Sequence, residues 1–263
     1  MKYGFLGCGN MGGAVARALC KATNDVLLAS KSVASAKALA LELNCQWSES
    51  NQDVANSCDV LFLAVKPPMM ADVLAPLVPT LQLRKPILVS MAAGLTLDRI
   101  ASLAGGNIPV VRIMPNTPVS IGKGMITYCF NGLVSTERVH TILSDLKCAG
   151  QFDRIDENLM DAATVAAGCS PAYTYMFIQA IADGAVACGL PPEKALKYAA
   201  EAVSGAAALL LESGEKPSVL KDAVCSPGGS TIAGVNALEN NGFQKAVMEA
   251  ILAAYKRNIE LRN

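Results

Sequence analysis

Histidine and tryptophan each occur once in the 263 residues, aromatic residues make up 5% and charged residues only 17%. With His140 as the sole imidazole, a Cys/His zinc centre has too few ligands, and no metal is expected. Neither charge sign dominates: Lys plus Arg and Asp plus Glu both number 22, so no basic field exists to attract nucleic acid. Nine cysteines stand at 8, 20, 45, 58, 129, 148, 169, 188 and 225, an odd number with no CxxC spacing. They read as small buried hydrophobes in a reducing compartment, not as a disulfide framework. A single lysine precedes the first apolar run, which ends by Gly7 and is too short for a signal peptide. Uninterrupted apolar runs of membrane-spanning length are missing. The nearest case, 162–182, contains Ser170, Pro171, Thr174 and Gln179 and reads as a buried helix. The expectation is a cytoplasmic chain with neither membrane nor nucleic acid as partner.

What the sequence does have is apolar surface. Hydrophobic residues reach 52%, much of it Ala, Leu and Val, which implies a large helical core or an apolar subunit interface. Near-continuous apolar runs at 2–6, 25–30, 59–65, 86–90 and 109–114 read as parallel strands covered on both faces. Helical patterns at 11–22, 33–44, 68–78 and 96–104 alternate with them, giving an α/β class with a Rossmann-type doubly wound parallel sheet. Runs at 124–130 and 150–154 add late edge strands, with a helix over 135–147 that places His140 on a surface. Beyond 155 strand signals stop. Helices are expected over 156–189, broken near Ser170-Pro171, then 192–213, 217–224, 230–240 and 243–262. The division is therefore 1–154, a nucleotide-type domain, and 155–263, an all-helical domain apolar enough to pair with its own copy.

Gly7-Cys8-Gly9-Asn10-Met11-Gly12 fits GxGxxG between the first strand and the first helix. Gly7 permits the turn, Gly9 lets backbone approach a pyrophosphate, and Gly12 lets helix and strand pack closely. The second strand ends in Ala29-Ser30-Lys31-Ser32, with no acid before Glu42. A carboxylate there would repel a 2′-phosphate, whereas hydroxyls and an ammonium would bind it, so NADPH is favoured and NADH is the lesser alternative.

Three more segments carry a family likeness: Ala64-Val65-Lys66-Pro67 at the end of a strand, Arg112 to Pro118 at the end of another, and Lys221 to Ile232. The last contains Ser226-Pro227-Gly228-Gly229-Ser230-Thr231, followed by Ala233-Gly234-Val235 and Leu238-Glu239. Together they resemble the pyrroline-5-carboxylate reductase family, and the likeness runs from residue 1 to about 260. The resemblance implies a Rossmann domain joined to a helical dimerisation domain, with the helical domain of one chain completing its partner's site. It implies a homodimer, with assemblies of dimers as a larger form. By position, Gly9, Asn10 and Met11 would contact the pyrophosphate. Ser30, Lys31 and Ser32 would lie near the 2′-phosphate, and Asn51 near the adenosine. Ala64, Val65, Lys66 and Pro67, with Met91, Ala92 and Ala93, would line the nicotinamide half. Gly229, Ser230 and Thr231 would bind the substrate carboxylate and ring nitrogen, with Glu157 nearby. Lys66 would orient substrate or hold cofactor, or act through its stem alone.

The implied reaction is hydride delivery to the C=N bond of Δ1-pyrroline-5-carboxylate, giving L-proline. Two departures stand out. The family's Gly-Ser-Gly-Pro-Ala-Tyr is here Gly168-Cys169-Ser170-Pro171-Ala172-Tyr173, and Lys216 replaces a histidine before Pro217. β-Hydroxyacid dehydrogenases share the architecture but use a lysine on the long interdomain helix, and 157–180 contains none. A reductase of another cyclic imine and a non-catalytic NADPH-binding sensor remain the alternatives.

Overall fold

Runs such as Tyr3-Gly4-Phe5-Leu6 and Val60-Leu61-Phe62-Leu63 have almost nothing polar to offer water, so they are stable only with both strand faces covered. In the computed structural model, which describes residues 1–260, they sit at the centre of an eight-stranded sheet. The strands are β1 (Tyr3–Leu6), β2 (Val26–Ala29), β3 (Gln46–Trp47), β4 (Val60–Leu63), β5 (Ile87–Ser90), β6 (Val110–Met114), β7 (Gly124–Phe130) and β8 (Gly150–Arg154). Their order is β3-β2-β1-β4-β5-β6-β7-β8, parallel throughout except that β7 runs antiparallel to β6. Leu6 on β1 is level with Ala29 on β2 and with Leu63 on β4. The chain therefore leaves β1 and β4 side by side where the strand order reverses, the place where ligands of open sheets bind.

Side-chain alternation divides the core into two layers. Tyr3, Phe5, Val60 and Phe62 face one way, packing with α1 (Asn10–Leu19), α2 (Val33–Leu43) and α7 (Thr136–Asp145). Phe5 and Phe62 stack at 4.4 Å between ring centroids. Leu6, Leu61, Leu63 and Leu88 face the other way, covered by α3 (Asn51–Ser57), α4 (Met70–Leu74), α5 (Val78–Arg84), α6 (Leu97–Leu103) and α8 (Met160–Ala163). All seven expected strands form within two residues of their expected ends. The polar two-residue β3 and the short α3 had no periodicity to reveal them. The expected helix at 68–78 is instead a chain of short turns, because Pro67, Pro68, Pro76 and Pro79 each withhold a backbone donor.

By compactness the chain forms two units, Met1–Cys169 with the tail from Tyr255, and Ser170–Ala254. The second holds α9 (Ser170–Ala187), α10 (Pro192–Ser213), α11 (Pro217–Ala223), α12 (Ser230–Asn240) and most of α13 (Phe243–Glu260). The last two residues of the helix expected over 243–262 lie outside the described residues. α9 packs against α10 around Ala182, Ala195 and Ala199, and α11 to α13 bury nothing completely. The burial expected for the 162–182 helix is thus not reached in one chain: Tyr175, Met176 and Phe177 are exposed. No described helix is long and apolar enough to cross a membrane.

The expected break at Ser170-Pro171 is a change of helix type. Residues Thr164–Cys169 form a π-helix that runs directly into α9. Pro171 has no N–H for the Ala167 carbonyl four residues back, and the Asn116 side-chain amide donates to that carbonyl at 3.0 Å instead.

Candidate active site

The phosphate-type turn shows why its three glycines are there. Gly7 has φ of 109°, and a Cβ on it would meet the Ala64 carbonyl oxygen at 2.6 Å. A Cβ on Gly12 would lie 2.5 Å from the Gly7 oxygen and 2.7 Å from the Ala64 methyl. Those two glycines hold β1, α1 and the end of β4 together. Gly9 is different: nothing lies within 4 Å of a Cβ there, so its missing side chain leaves open space rather than relieving a clash. It caps α1 with no side-chain acceptor, and the first turn carries no acid. The leading amides at Asn10 and Met11 therefore face an opening with the positive end of the helix behind them. That fits a pyrophosphate.

Ser30 is half-buried after β2, and Lys31 and Ser32 are exposed. The Ser32 hydroxyl caps α2, accepting from the Ser35 amide at 3.3 Å and the Ser35 hydroxyl at 2.9 Å. A groove of about 260 Å³ beside the turn is lined by Gly9, Asn10, Gly13, Arg17, Ser35 and Glu42. Arg17 donates to Glu42 through Nε at 2.7 Å and Nη2 at 2.8 Å, which holds that carboxyl below its ordinary range. The nearest acid to the β2 end on α2 is thus already paired to a guanidinium. Sequence reasoning missed Arg17, whose only signal was its position on the α1 face towards α2.

Asn51 is half-buried at the start of α3. Ala64 and Val65 are half-buried beside the glycine turn, and the Ala64 amide donates to the Leu6 carbonyl at 2.9 Å. Lys66 is exposed, with no ion-pair partner among the described residues, and Pro67 opens a short 3₁₀ turn. After β5, the Met91 amide donates to the Leu63 carbonyl, and the buried Ser90 hydroxyl accepts from the Ala92 amide at 3.2 Å. The first unit thus brings Gly7, Gly9, Gly12, Ala64 to Pro67 and Met91 to Ala93 to one end of the sheet. His140 is exposed on α7.

Glu157 has more structural work than its sequence suggested. One carboxylate oxygen accepts the Leu97 amide at 2.6 Å and faces Arg112 Nη1 at 3.2 Å. Arg112 is fully buried in β6, with its other terminal nitrogen 3.7 Å from Asp161. Burial raises the Cys129 thiol to about 11, and the Glu157 charge adds to that rise. Asp161 was not anticipated, although a lone arginine in Val110-Val111-Arg112-Ile113-Met114 demands a buried acid somewhere. Asn116 likewise joins two motifs, accepting from the Met125 amide at 3.0 Å while holding the π-helix.

In the second unit, Gly229 caps α12 with no side-chain acceptor. A Cβ at Gly229 would meet the Ser226 hydroxyl at 2.5 Å, which would have to turn away, and Gly228 before it has φ of 69°. Ser230 and Thr231 open the helix, exposed, with no acid in the first turn. Lys221 lies 3.7 Å from Glu239, tying α11 to α12. The chain therefore has two glycine-led helix starts with unsatisfied amides, the local chemistry of an anion site in each unit.

Comparison with known proteins covers both units. Residues 157–261 match the family described as pyrroline-5-carboxylate reductase dimerisation, and residues 2–94 match an NADP oxidoreductase, coenzyme F420-dependent, family. The chain is 41% identical to the pyrroline-5-carboxylate reductase of Escherichia coli (strain K12), over 99% of this chain and 98% of that one. The 1-pyrroline-5-carboxylate reductase of Streptococcus pyogenes superimposes with a TM-score of 0.91 at 34% identity, covering 99% and 98% of the two chains. The pyrroline carboxylate reductase of Plasmodium falciparum, solved with NADP bound, gives 0.89 at 30% identity, covering 100% and 98%. With both halves matched in order along its whole length, the chain belongs to the pyrroline-5-carboxylate reductase family.

Proposed function

We infer that this protein reduces the C=N bond of Δ1-pyrroline-5-carboxylate with NADPH, producing L-proline as the last step of proline biosynthesis. The observation that carries this reading is the full-length likeness to the Escherichia coli reductase. NADPH, when bound, supplies hydride from C4 of its nicotinamide to the imine carbon. The chain's own residues bind, orient and exclude water. Gly7, Gly9, Asn10, Met11 and Gly12 would hold the pyrophosphate on the uncapped start of α1. Ser30, Lys31 and Ser32 would take the 2′-phosphate, where an unpaired carboxylate would have repelled it, and Asn51 would flank the adenosine. Ala64, Val65, Lys66 and Pro67 with Met91, Ala92 and Ala93 would line the nicotinamide half.

The small acid would dock on the amides of Gly229, Ser230 and Thr231, which needs no arginine. The Thr231 hydroxyl would sit by the ring nitrogen, able to donate or accept. A protonated imine is already electrophilic, which suits a chain whose single histidine is on an outer helix. The free oxygen of Glu157 would support the cationic nitrogen, and the Lys66 ammonium would orient the substrate.

The functional division we propose is 1–154 for cofactor and 155–263 for pairing and substrate. In its favour, β8 ends at Arg154 and the dimerisation match begins at 157. A helical unit with three buried alanines cannot satisfy its own apolar surface, so a homodimer through this unit is the proposed state, with assemblies of dimers beyond it. Nine cysteines without a disulfide among the described residues suit a cytoplasmic setting. Tracing deuterium from the transferred position of labelled NADPH tests the reaction. Proline labelled at the former imine carbon is expected, and unlabelled substrate recovered alone would refute it.

A further inference from the structure

One charged cluster is used only in part by the proposed reaction, which takes Glu157 and gives Arg112 and Asp161 nothing to do. Arg112 is the only charged residue of β6, and its side chain is fully buried. A guanidinium is retained in such a place only if carboxylates face it, and here Glu157 and Asp161 do, at 3.2 and 3.7 Å. Asp161 is 1% exposed and Glu157 31%, so Glu157 is the partner with freedom to turn towards solvent. It does not turn away. Its Oε1 accepts from Arg112 and also from the Leu97 amide at 2.6 Å, the first amide of α6. The next side-chain bond in that turn, from the Arg99 amide to the Thr96 hydroxyl, leaves the Leu97 amide to Glu157.

The segment from Met91 to Thr96 is therefore fastened at both ends by side chains from outside it. The Ser90 hydroxyl holds the Ala92 amide at the start, and Glu157 holds the Leu97 amide at the finish. We propose that Arg112 is a positioning residue: by fixing Glu157 it sets the Met91–Thr96 loop, and with it the placement of the reacting end of the cofactor. This rests on the reading that Met91, Ala92 and Ala93 line the nicotinamide. Asp161 balances the second terminal nitrogen, so the guanidinium can hold Glu157 without being drawn wholly to it.

The test uses the full-length enzyme with three variants, following NADPH affinity, steady-state rates, melting temperature and the deuterium isotope effect with NADPH labelled at the transferred position. Arg112→Met with Asp161→Asn removes the buried pair together and avoids a stranded charge. Glu157→Ala deletes the acceptor at a partly exposed site, so the test survives if the double variant fails to fold. A misplaced loop lowers kcat by about ten- to a hundredfold with NADPH Kd changed by less than about threefold, and raises the isotope effect as hydride transfer becomes slower. Glu157→Gln, whose amide oxygen still accepts from Leu97, recovers at least about half of the Glu157→Ala loss on a logarithmic scale. The inference is overturned if folded Glu157→Ala keeps wild-type kcat and isotope effect. It is also overturned if the folded Arg112→Met, Asp161→Asn variant keeps wild-type kcat and isotope effect, since the loop would then be set without the guanidinium. A wild-type enzyme that never oxidises NADPH with the imine would instead remove the functional reading beneath both.

Discussion

The sheet unit buries Tyr3, Phe5, Phe62 and even Arg112 completely, whereas the helical unit buries only three alanines and leaves Tyr175, Met176, Leu209 and Leu211 exposed. Both are apolar in composition. The difference lies in what covers them. The sheet has helices on both faces from its own chain, so its apolar runs are satisfied locally. The helical unit has only a small core around Ala182, Ala195 and Ala199, and its remaining apolar side chains need a surface that one chain does not supply. A sheet unit that covers its own apolar surface is thus combined with a helical unit that leaves much of its apolar surface uncovered in the single chain.

The strongest way to break that comparison is to charge the helical face. Met176 and Leu211 are 73% and 84% exposed in the single chain, so a doubly substituted Met176→Asp, Leu211→Asp protein should lose little stability as a monomer. It should nevertheless run as a monomer in light scattering and lose turnover, while still binding NADPH. Leu83, on the sheet unit, is also 84% exposed, and Leu83→Asp should change neither property.

Thr231→Ala sharpens the assignment within the helical unit. It should lower kcat/KM by about ten- to a thousandfold, equivalent to about 1.4–4 kcal/mol, with NADPH binding untouched. Unaltered steady-state kinetics would deny the hydroxyl any direct part. On the sheet side, Lys31→Glu places a carboxylate where a 2′-phosphate is expected. It should raise KM for NADPH by about tenfold and leave that for NADH nearly unchanged. Equal effects on both cofactors would detach Lys31 from the phosphate.

The smallest effects separate two glycines of one turn. Gly12→Ala meets backbone and the Ala64 methyl, and should cost about 1–3 kcal/mol in thermal or denaturant unfolding. Gly9→Ala meets nothing in the fold, so stability should stay within about 0.5 kcal/mol while NADPH affinity falls. If Gly9→Ala binds NADPH normally, the open space over α1 is not where the pyrophosphate lies.

The sheet was legible because parallel strands buried on both faces read as unbroken apolar runs, and because Gly7, Gly9 and Gly12 mark the turn between β1 and α1. β3 was not legible, since Gln46 and Trp47 pair without being buried. The antiparallel direction of β7 was hidden as well, because direction depends on the turn at Thr117–Ile121 and not on composition. Of the site, the glycine-led helix starts could be read from residue types alone. The Arg112, Glu157 and Asp161 cluster could not, because it joins residues far apart in sequence. Nor could the Asn116 bond that carries the helix past Pro171. The apolar 162–182 stretch announced a burial that the single chain does not supply, with Tyr175, Met176 and Phe177 exposed, because composition does not say what covers an apolar helix.

Loss of nicotinamide absorbance in the near ultraviolet, followed for the wild-type protein with and without Δ1-pyrroline-5-carboxylate, tests the account most directly. NADPH should be consumed only when the cyclic imine is present, with one proline formed for each cofactor oxidised. A protein that binds NADPH firmly yet leaves the absorbance constant in the presence of the imine would contradict it.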